Sequence, residues 1–309
     1  MSDMLIVGID HGYAAMKTAH CVFPSGLVAY EHEPYTRQNV LEWQGRWYVV
    51  GSGRQPLQKD KTRTEDYYLL TLAALAKEID ARQVGRTVTI HLAAGLPLTS
   101  FGRDKQKFSQ YLLRDRQPVF FRFEGREYCV TISEVTLFPQ GYSAVLTQPD
   151  LLEEPSVIVA DIGGWTVDFM RLDHRIPNAA CNRSLELGVI RCLDQIREQA
   201  QRKLGLSLTD AQMESVLRGE VTSVADPVKE VIHQEAERYI CQLFAAMTES
   251  GLDLKSMPSV FLGGGAALLK RHLPATDGPC RLFLLDDVCL NAKSFERLLG
   301  RMSGGGSHG

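Results

Sequence analysis

The chain has 309 residues, 44% of them hydrophobic and 23% charged, a composition that excludes wholesale disorder and leads to an expectation of two domains. Its 34 Lys and Arg against 37 Asp and Glu leave a net charge of −3, so there is no bulk basic field to hold nucleic acid by counterion release, and direct DNA binding is disfavoured. No apolar run reaches the roughly 18–20 residues of a membrane helix, and the seven scattered cysteines include no C-x-x-C pair, which argues against disulfide and zinc frameworks and for a reduced, cytoplasmic protein.

The N-terminal MSDMLIVGID has no basic region and only a strand-length apolar run, so it is read as a strand rather than a signal peptide. Met4–Asp10 and Ala14–Phe23 flank His11-Gly12-Tyr13, the pattern of a hairpin. From Pro24 to about Lys61, mixed aromatic and polar residues with Gly45, Gly51 and Gly53 predict short strands in an appended lobe. Glu65–Ala81 has helical apolar spacing, Thr87–Ala94 is a strand running into Gly95-Leu-Pro97, and Phe101–Leu113 is a second helix. Val119–Ile132 predicts a hairpin turning at Glu124-Gly125, and Thr136–Pro139 leads into a small-residue helix, Gln140–Leu146.

After a break at 147–155 the opening pattern returns. Ser156–Asp161 is an apolar strand ending in Asp, Ile162-Gly163-Gly164 is a turn, and Trp165–Leu172 is the returning strand. Helices follow at Val189–Leu204, Asp210–Arg218 and about Asp226–Ser250. Pro258–Leu262 is a strand ending in Gly263-Gly264-Gly265, then come the helix Ala266–His272, the strand Arg281–Leu285 and the helix Ala292–Met302. Alternating strands and helices in both halves predict α/β layers.

The duplicated turn carries the chemistry. Asp10-x-Gly12-Tyr13-x-x-x-Lys17 and Asp161-x-Gly163-Gly164-x-Thr166-x-Asp168 lie about 150 residues apart, each after an apolar strand. Glycine turns let backbone N–H groups approach an anion, and two of them could clamp one polyphosphate. Asp10 and Asp161 would hold a hydrated Mg²⁺, an ion that keeps several waters and takes few protein ligands, and Lys17 would meet phosphate oxygens. Gly263, Gly264 and Gly265 before a helix suit a nucleoside and its phosphates. A dinucleotide reading through Gly263 and Asp286 fails, because Leu268 stands at the last glycine and too little chain follows to complete that fold. Gln140 could orient a water for in-line attack or cap the helix that it precedes, and sequence leaves both open; Glu134 is a nearby carboxylate whose alternation can turn it elsewhere.

These motifs resemble the actin superfamily, specifically the bacterial ParM-like (StbA-type) plasmid-segregation actins. The first phosphate motif is matched by Gly8-Ile-Asp10-His-Gly12-Tyr13 with Lys17, and the first connecting segment by Phe138-Pro139-Gln140-Gly141. The second phosphate motif is similar to Asp161-Ile-Gly163-Gly164-Trp165-Thr166-Val-Asp168, the second connecting segment to Leu185-Glu-Leu-Gly188, and the adenosine motif to Gly263-Gly264-Gly265. Leu290-Asn291-Ala292-Lys-Ser294-Phe295 resembles the Asn-Ala-x-Gly-Phe signature, with Ser294 in place of Gly.

The resemblance implies a two-lobed, actin-like (ribonuclease H-like) ATPase fold. The first lobe would span 1–150, completed by a C-terminal helix at about 287–302, the second 151–286, and a flexible tail 303–309. It implies ATP (GTP being the open alternative) with Mg²⁺, bound between the lobes by Asp10, Gly12, Tyr13, Lys17, Asp161, Gly163, Gly164, Trp165, Thr166, Asp168, Gly188 and Gly263–Gly265. Gln140 would direct the water, where ParM-type proteins often carry Glu. It further implies self-association into filaments that move plasmid DNA only indirectly, through a ParR-like DNA-binding adaptor, with no membrane partner. The alternative within the same superfamily is a non-filamentous ATPase, either a small-molecule kinase or a chaperone-type ATPase.

Overall fold

A computed structural model describes residues 4–53, 60–273 and 278–304. Two compact units emerge, one of Met1–Thr147 with Cys289–Gly309 and the other of Gln148–Val288. The first contains β1 (Leu5–His11), β2 (Ala15–Lys17), β3 (Val22–Pro24), β4 (Leu27–Tyr30), β5 (Val40–Trp43), β6 (Arg46–Val50), α1 (Asp66–Ala81), β7 (Thr87–Leu96), α2 (Leu98–Leu113), β8 (Val119–Phe123), β9 (Arg126–Pro139) and α3 (Tyr142–Leu146). The second contains β10 (Ser156–Ile162), β11 (Val167–Asp173), β12 (Ile176–Pro177), β13 (Arg183–Leu185), α4 (Val189–Leu204), α5 (Asp210–Arg218), α6 (Asp226–Glu249), β14 (Ser259–Leu262), α7 (Ala266–His272) and β15 (Leu282–Leu284). The last helix, α8 (Leu290–Gly304), belongs to the first unit. Among the described residues no helix is long and apolar enough to cross a membrane.

The first unit is built on a nine-stranded sheet ordered β3-β2-β1-β7-β9-β8-β5-β6-β4, in which β1, β7 and β9 run parallel. Parallel strands are covered on both faces, which is why Leu5–Asp10 and Thr87–Leu96 read as nearly continuous apolar runs. Their two-residue period assigns the faces. Val7, Ile9, Ile90, Leu92 and Ala94 join the main core with α1, whereas Ile6 and Ala93 pack with Phe295 and Leu299 of α8. Helix α1 has 12 buried residues out of 16 and so lies inside the unit rather than on its surface. Gly8 lies directly beneath α8, since a Cβ there would collide with the carbonyl of Ala292.

In the second unit the sheet order is β12-β11-β10-β14-β15, with β13 beside β11, and β10, β14 and β15 are parallel. Ile158, Ala160 and Ile162 of β10 pack with Cys192, Leu193 and Ile196 of α4 and with the apolar stripe of α6. Helix α5 starts with a capping box, Thr209 to Gln212, and ends at Gly219 in the left-handed region.

Several boundaries differ from the sequence expectation. The run Ala14–Phe23 is not one strand: a turn at Thr18–Cys21 splits it, with Thr18 N–H donating to the Cys21 carbonyl. The strands between Pro24 and Lys61 form no separate lobe, because β5 pairs with β8 and extends the main sheet. Helix α2 begins at Leu98, immediately after Pro97 as N-cap. Strand β9 continues through Thr136–Pro139 in register with β7, which delays α3 to Tyr142. Helix α8 runs to Gly304, so Ser303 and the first glycine of the expected tail are helical; 305–309 lie outside the described residues.

Candidate functional site

Asp10, Gly95 and Gln140 arise at the carboxyl ends of the neighbouring parallel strands β1, β7 and β9, where open α/β sheets place their ligands. Asp10 follows Gly8 on the α8 face of the sheet, and its carboxylate is only 3% exposed. Its two oxygens are divided: Lys17 Nζ reaches Oδ2 at 3.3 Å and Gln140 Nε2 donates to Oδ1 at 2.7 Å. Lys17 is also the register partner of Asp10 across the hairpin. Ser25 Oγ donates to the Gly12 carbonyl at 2.7 Å and braces the turn, where a Cβ on Gly12 would run into the Ala15 carbonyl. Tyr13 is half-buried beside it.

The side chain of Gln140 does not cap α3. The N-cap is Gly141, with φ +69°, and no side chain caps it. Glu134 points away, with its carboxylate 59% exposed and paired to His91 at 3.6 Å. His11 points to the opposite face from Asp10, fully buried, edge-on to Phe108 at 5.2 Å. Thr71 Oγ1 donates to the Tyr67 carbonyl, so at 2.9 Å it accepts from His11 Nε2–H, which leaves Nδ1 unprotonated. Burial, with Lys61 adding to it, pushes the imidazole pKa down to about 3.

The second unit repeats this hairpin in register. Asp161 pairs with Asp168 across β10 and β11, seven residues on, as Asp10 pairs with Lys17. The turn between them is tied down by backbone. Gly163 N–H donates to the Thr166 carbonyl at 2.9 Å, and the carbonyls of Gly163, Gly164 and Trp165 accept from Val189, Ile190 and Gly188. Gly188 and the start of α4 therefore grip the loop itself, and a Cβ on Gly188 would clash with the Gly164 carbonyl. Thr166 Oγ1 donates to Asp168 Oδ2 at 3.1 Å.

Asp161, 8% exposed, ends β10 beside Leu262 of β14, so Gly263 begins next to its carboxylate. Gly263 has φ +88°, and a Cβ there would strike Asp161 Oδ1; one on Gly265 would strike Ile162 and Val189. These two glycines are required by close approach. Gly264, between them, faces open space. Asp286, the acid of the rejected dinucleotide reading, lies on the surface with Lys270 at 3.4 Å.

Sequence reasoning reached both turns; it placed Asn291 and Phe295 within the Leu290–Phe295 signature and Gly95 after the Thr87–Ala94 strand, but gave none of them a place beside Gln140. Gly141 N–H donates to the Asn291 side-chain carbonyl at 3.0 Å, and Phe295 stacks on Phe138 with ring centres 5.8 Å apart. The available signal was a glycine ending a buried strand, which marks a close approach.

Residues 8–142 match the family of actin-like proteins, N-terminal domain. Across 96% of this chain and 100% of the other, the fold is that of an archaeal actin homologue, Ta0583, solved in complex with ADP, at TM-score 0.75 and 21% identity. The fold is actin-like. A 15-stranded ParM filament from Clostridium botulinum matches at TM-score 0.76 and 20% identity over 97% of this chain and 100% of that one. The actin-like protein Alp7A matches at 0.75 and 13% over 97% and 98%. No curated protein matches the chain in sequence. The two-sheet α/β architecture is thus the actin-like fold.

Proposed function

We propose that this chain is a Mg²⁺-dependent ATPase that assembles into filaments in the cytoplasm and moves plasmid DNA indirectly, through a ParR-like DNA-binding adaptor. GTP is the alternative nucleotide. The observation that carries the reading is the repeated hairpin: in each unit the penultimate residue of a buried strand is an aspartate whose register partner lies seven residues on. One repeat supplies Lys17, the other a backbone loop beside Gly263. A cation in one unit and glycine-lined backbone in the other are each suited to phosphate oxygens. Two structural neighbours support it, since one is an archaeal actin homologue in complex with ADP and another a ParM filament.

The residues fit a nucleotide with its metal. Among the described residues no cluster of three or more His, Cys, Asp or Glu could hold a metal by protein ligands alone; Mg²⁺ bound with phosphate and water oxygens needs only one or two carboxylates, and Asp10 and Asp161 would serve as those carboxylates. The ion would supply charge neutralisation of the phosphates. Lys17 would add its charge to that neutralisation, and Gly12, Tyr13 and Gly164 would bind phosphates through backbone; Gly163 and Thr166, whose N–H and hydroxyl donate within the loop, would reach phosphate only by giving up those bonds, and Trp165, Asp168 and Gly188 would hold the second loop in shape. The open face of Gly264 leaves room for a nucleoside. Gln140, its nitrogen committed to Asp10, would offer Oε1 to the attacking water; an amide orients water but is too weak a base to take its proton.

Light scattering and electron microscopy of the purified chain test the reading. Fibres and phosphate release are expected with Mg²⁺-ATP and neither without it, and Asp161→Ala should abolish turnover while leaving the circular dichroism unchanged. Phosphate transfer to a sugar without fibres, or full turnover in Asp161→Ala, overturns it.

A further inference from the structure

Helix α8 and strand β7 close around the turn that carries Gln140, and from that arrangement we propose that Asn291, Phe295 and Gly95 are positioning residues for hydrolysis. They touch no nucleotide; they set the direction of the Gln140 side chain. The proposal rests on the water-directing role given to Gln140 above.

The turn is held from two sides. On one, Gln140 N–H donates to the Leu96 carbonyl of β7 at 2.9 Å. On the other, the Asn291 side chain of α8, 5% exposed, accepts the Gly141 N–H at 3.0 Å. A buried N–H without a partner pays its full desolvation cost, and α3 has no capping side chain of its own to supply a partner. Gly141 also sits at φ +69°, a conformation glycine adopts freely, so the turn relies on Asn291 to fix it. Ser294 Oγ, 3.1 Å from Thr147 Oγ1, ties the far end of α3 to the same helix.

The stem of Gln140 is held by shape. Phe295 is fully buried, stacked within 7° of parallel on Phe138, two residues before Gln140. A Cβ added to Gly95 would overlap the Phe295 ring and would lie 2.9 Å from Gln140 Cγ. The missing side chain of Gly95 is therefore the space in which ring and stem meet. At the tip, Nε2 is spent on Asp10 at 2.7 Å, so turning the amide over would break that bond and Oε1 stays the acceptor on offer. Backbone, stem and tip are each fixed by a different residue, and a displacement of about 1 Å at such a group is enough to cost 100-fold in rate.

The test uses the full chain and three readouts: Kd for a fluorescent ATP analogue, kcat for phosphate release, and the melting temperature. Gly95→Ala and Asn291→Ala should each lower kcat tenfold or more with Kd within twofold of wild type. Asn291→Asp, which keeps an acceptor for Gly141 N–H, should recover kcat to within threefold. Adding Gly95→Ala to Gln140→Ala should cause no further loss, because the two act through one side chain. Wild-type kcat in Gly95→Ala or in Asn291→Ala, failure of Asn291→Asp to recover, or additive losses in the double variant overturns the proposal while Gln140→Ala remains slow. A normal kcat in Gln140→Ala overturns it differently, through the role it rests on, and absence of turnover in the wild-type chain overturns the ATPase reading beneath both.

Discussion

The two hairpins share a register and differ in what they place on it. At the position seven residues past the acid the first has Lys17 and the second Asp168, and immediately after the acid the first has His11 where the second has Ile162. The first turn is a side-chain device, with a carboxylate divided between an ammonium and an amide. The second is a backbone device, its carbonyls stitched to α4 and its glycines packed against Asp161 and Ile162. One duplicated scaffold thus carries two different sets of groups, fixed charge in the first turn and oriented peptide dipoles in the second, and the proposed function gives both to phosphate.

The largest effect that would sharpen this contrast is expected at Gly263. Gly263→Ala forces a Cβ into Asp161 at a left-handed φ, costing about 1–3 kcal/mol in backbone strain alone. Affinity for ATP by calorimetry should fall on the order of 100-fold, whereas Gly264→Ala, which adds its methyl to open space, should stay within about threefold. Equal losses at the two positions would break the idea that close packing builds the second turn.

An intermediate effect comes from pH and belongs to the first hairpin alone. The folded pKa of His11 lies at about 3, below the usual 6.5. The unfolded chain therefore takes up a proton that the folded chain refuses. This contribution is intact above pH 6.5 and is lost as pH falls toward 3, at up to about 1.4 kcal/mol per pH unit. Between pH 7 and 5, urea denaturation should show wild type losing about 2 kcal/mol more than His11→Ile, the residue of the second hairpin. Parallel losses in the two proteins would remove His11 from the account.

The smallest difference concerns the register partners. Lys17→Met should lower kcat/KM about tenfold, roughly 1.4 kcal/mol, by deleting the charge beside Asp10, while Asp168→Asn should change it by less than about threefold. A larger loss at Asp168 would reverse the assignment of charge to the first turn and shape to the second.

How much of this could be read from residues alone depends on where the cause resides. The bounds of α4, α5 and α7 were legible because local chemistry sets them: Gly188, Gly205, Thr209, Gly219 and Gly265 stand at their ends. The two hairpins were legible because an apolar run, an acid and a glycine recur in order. The split at Thr18–Cys21 was not, since it depends on Glu78, sixty residues away, accepting from Thr18 Oγ1 and His20 Nδ1. Strand β9 outran its expected end because β7 pairs with it as far as Pro139. The direction of Gln140 was hidden for the same reason: Asp10, Gly95 and Asn291, which determine it, are far away in sequence. Distant partners leave no local trace.

The placement of α8 bears on synthesis. Its Glu296 accepts the Gly8 N–H at 2.8 Å and pairs with Arg82 at 2.5 Å, so β1 is completed by a helix that follows the whole second unit in the chain. A ribosome must translate the entire second unit before those bonds can form. Until then the Ile6, Ala93 and Phe138 patch that Phe295 and Leu299 later cover is exposed, and the Gln140 turn lacks its Asn291 partner. The direction of the Gln140 side chain is in this sense fixed only after the second unit has been made.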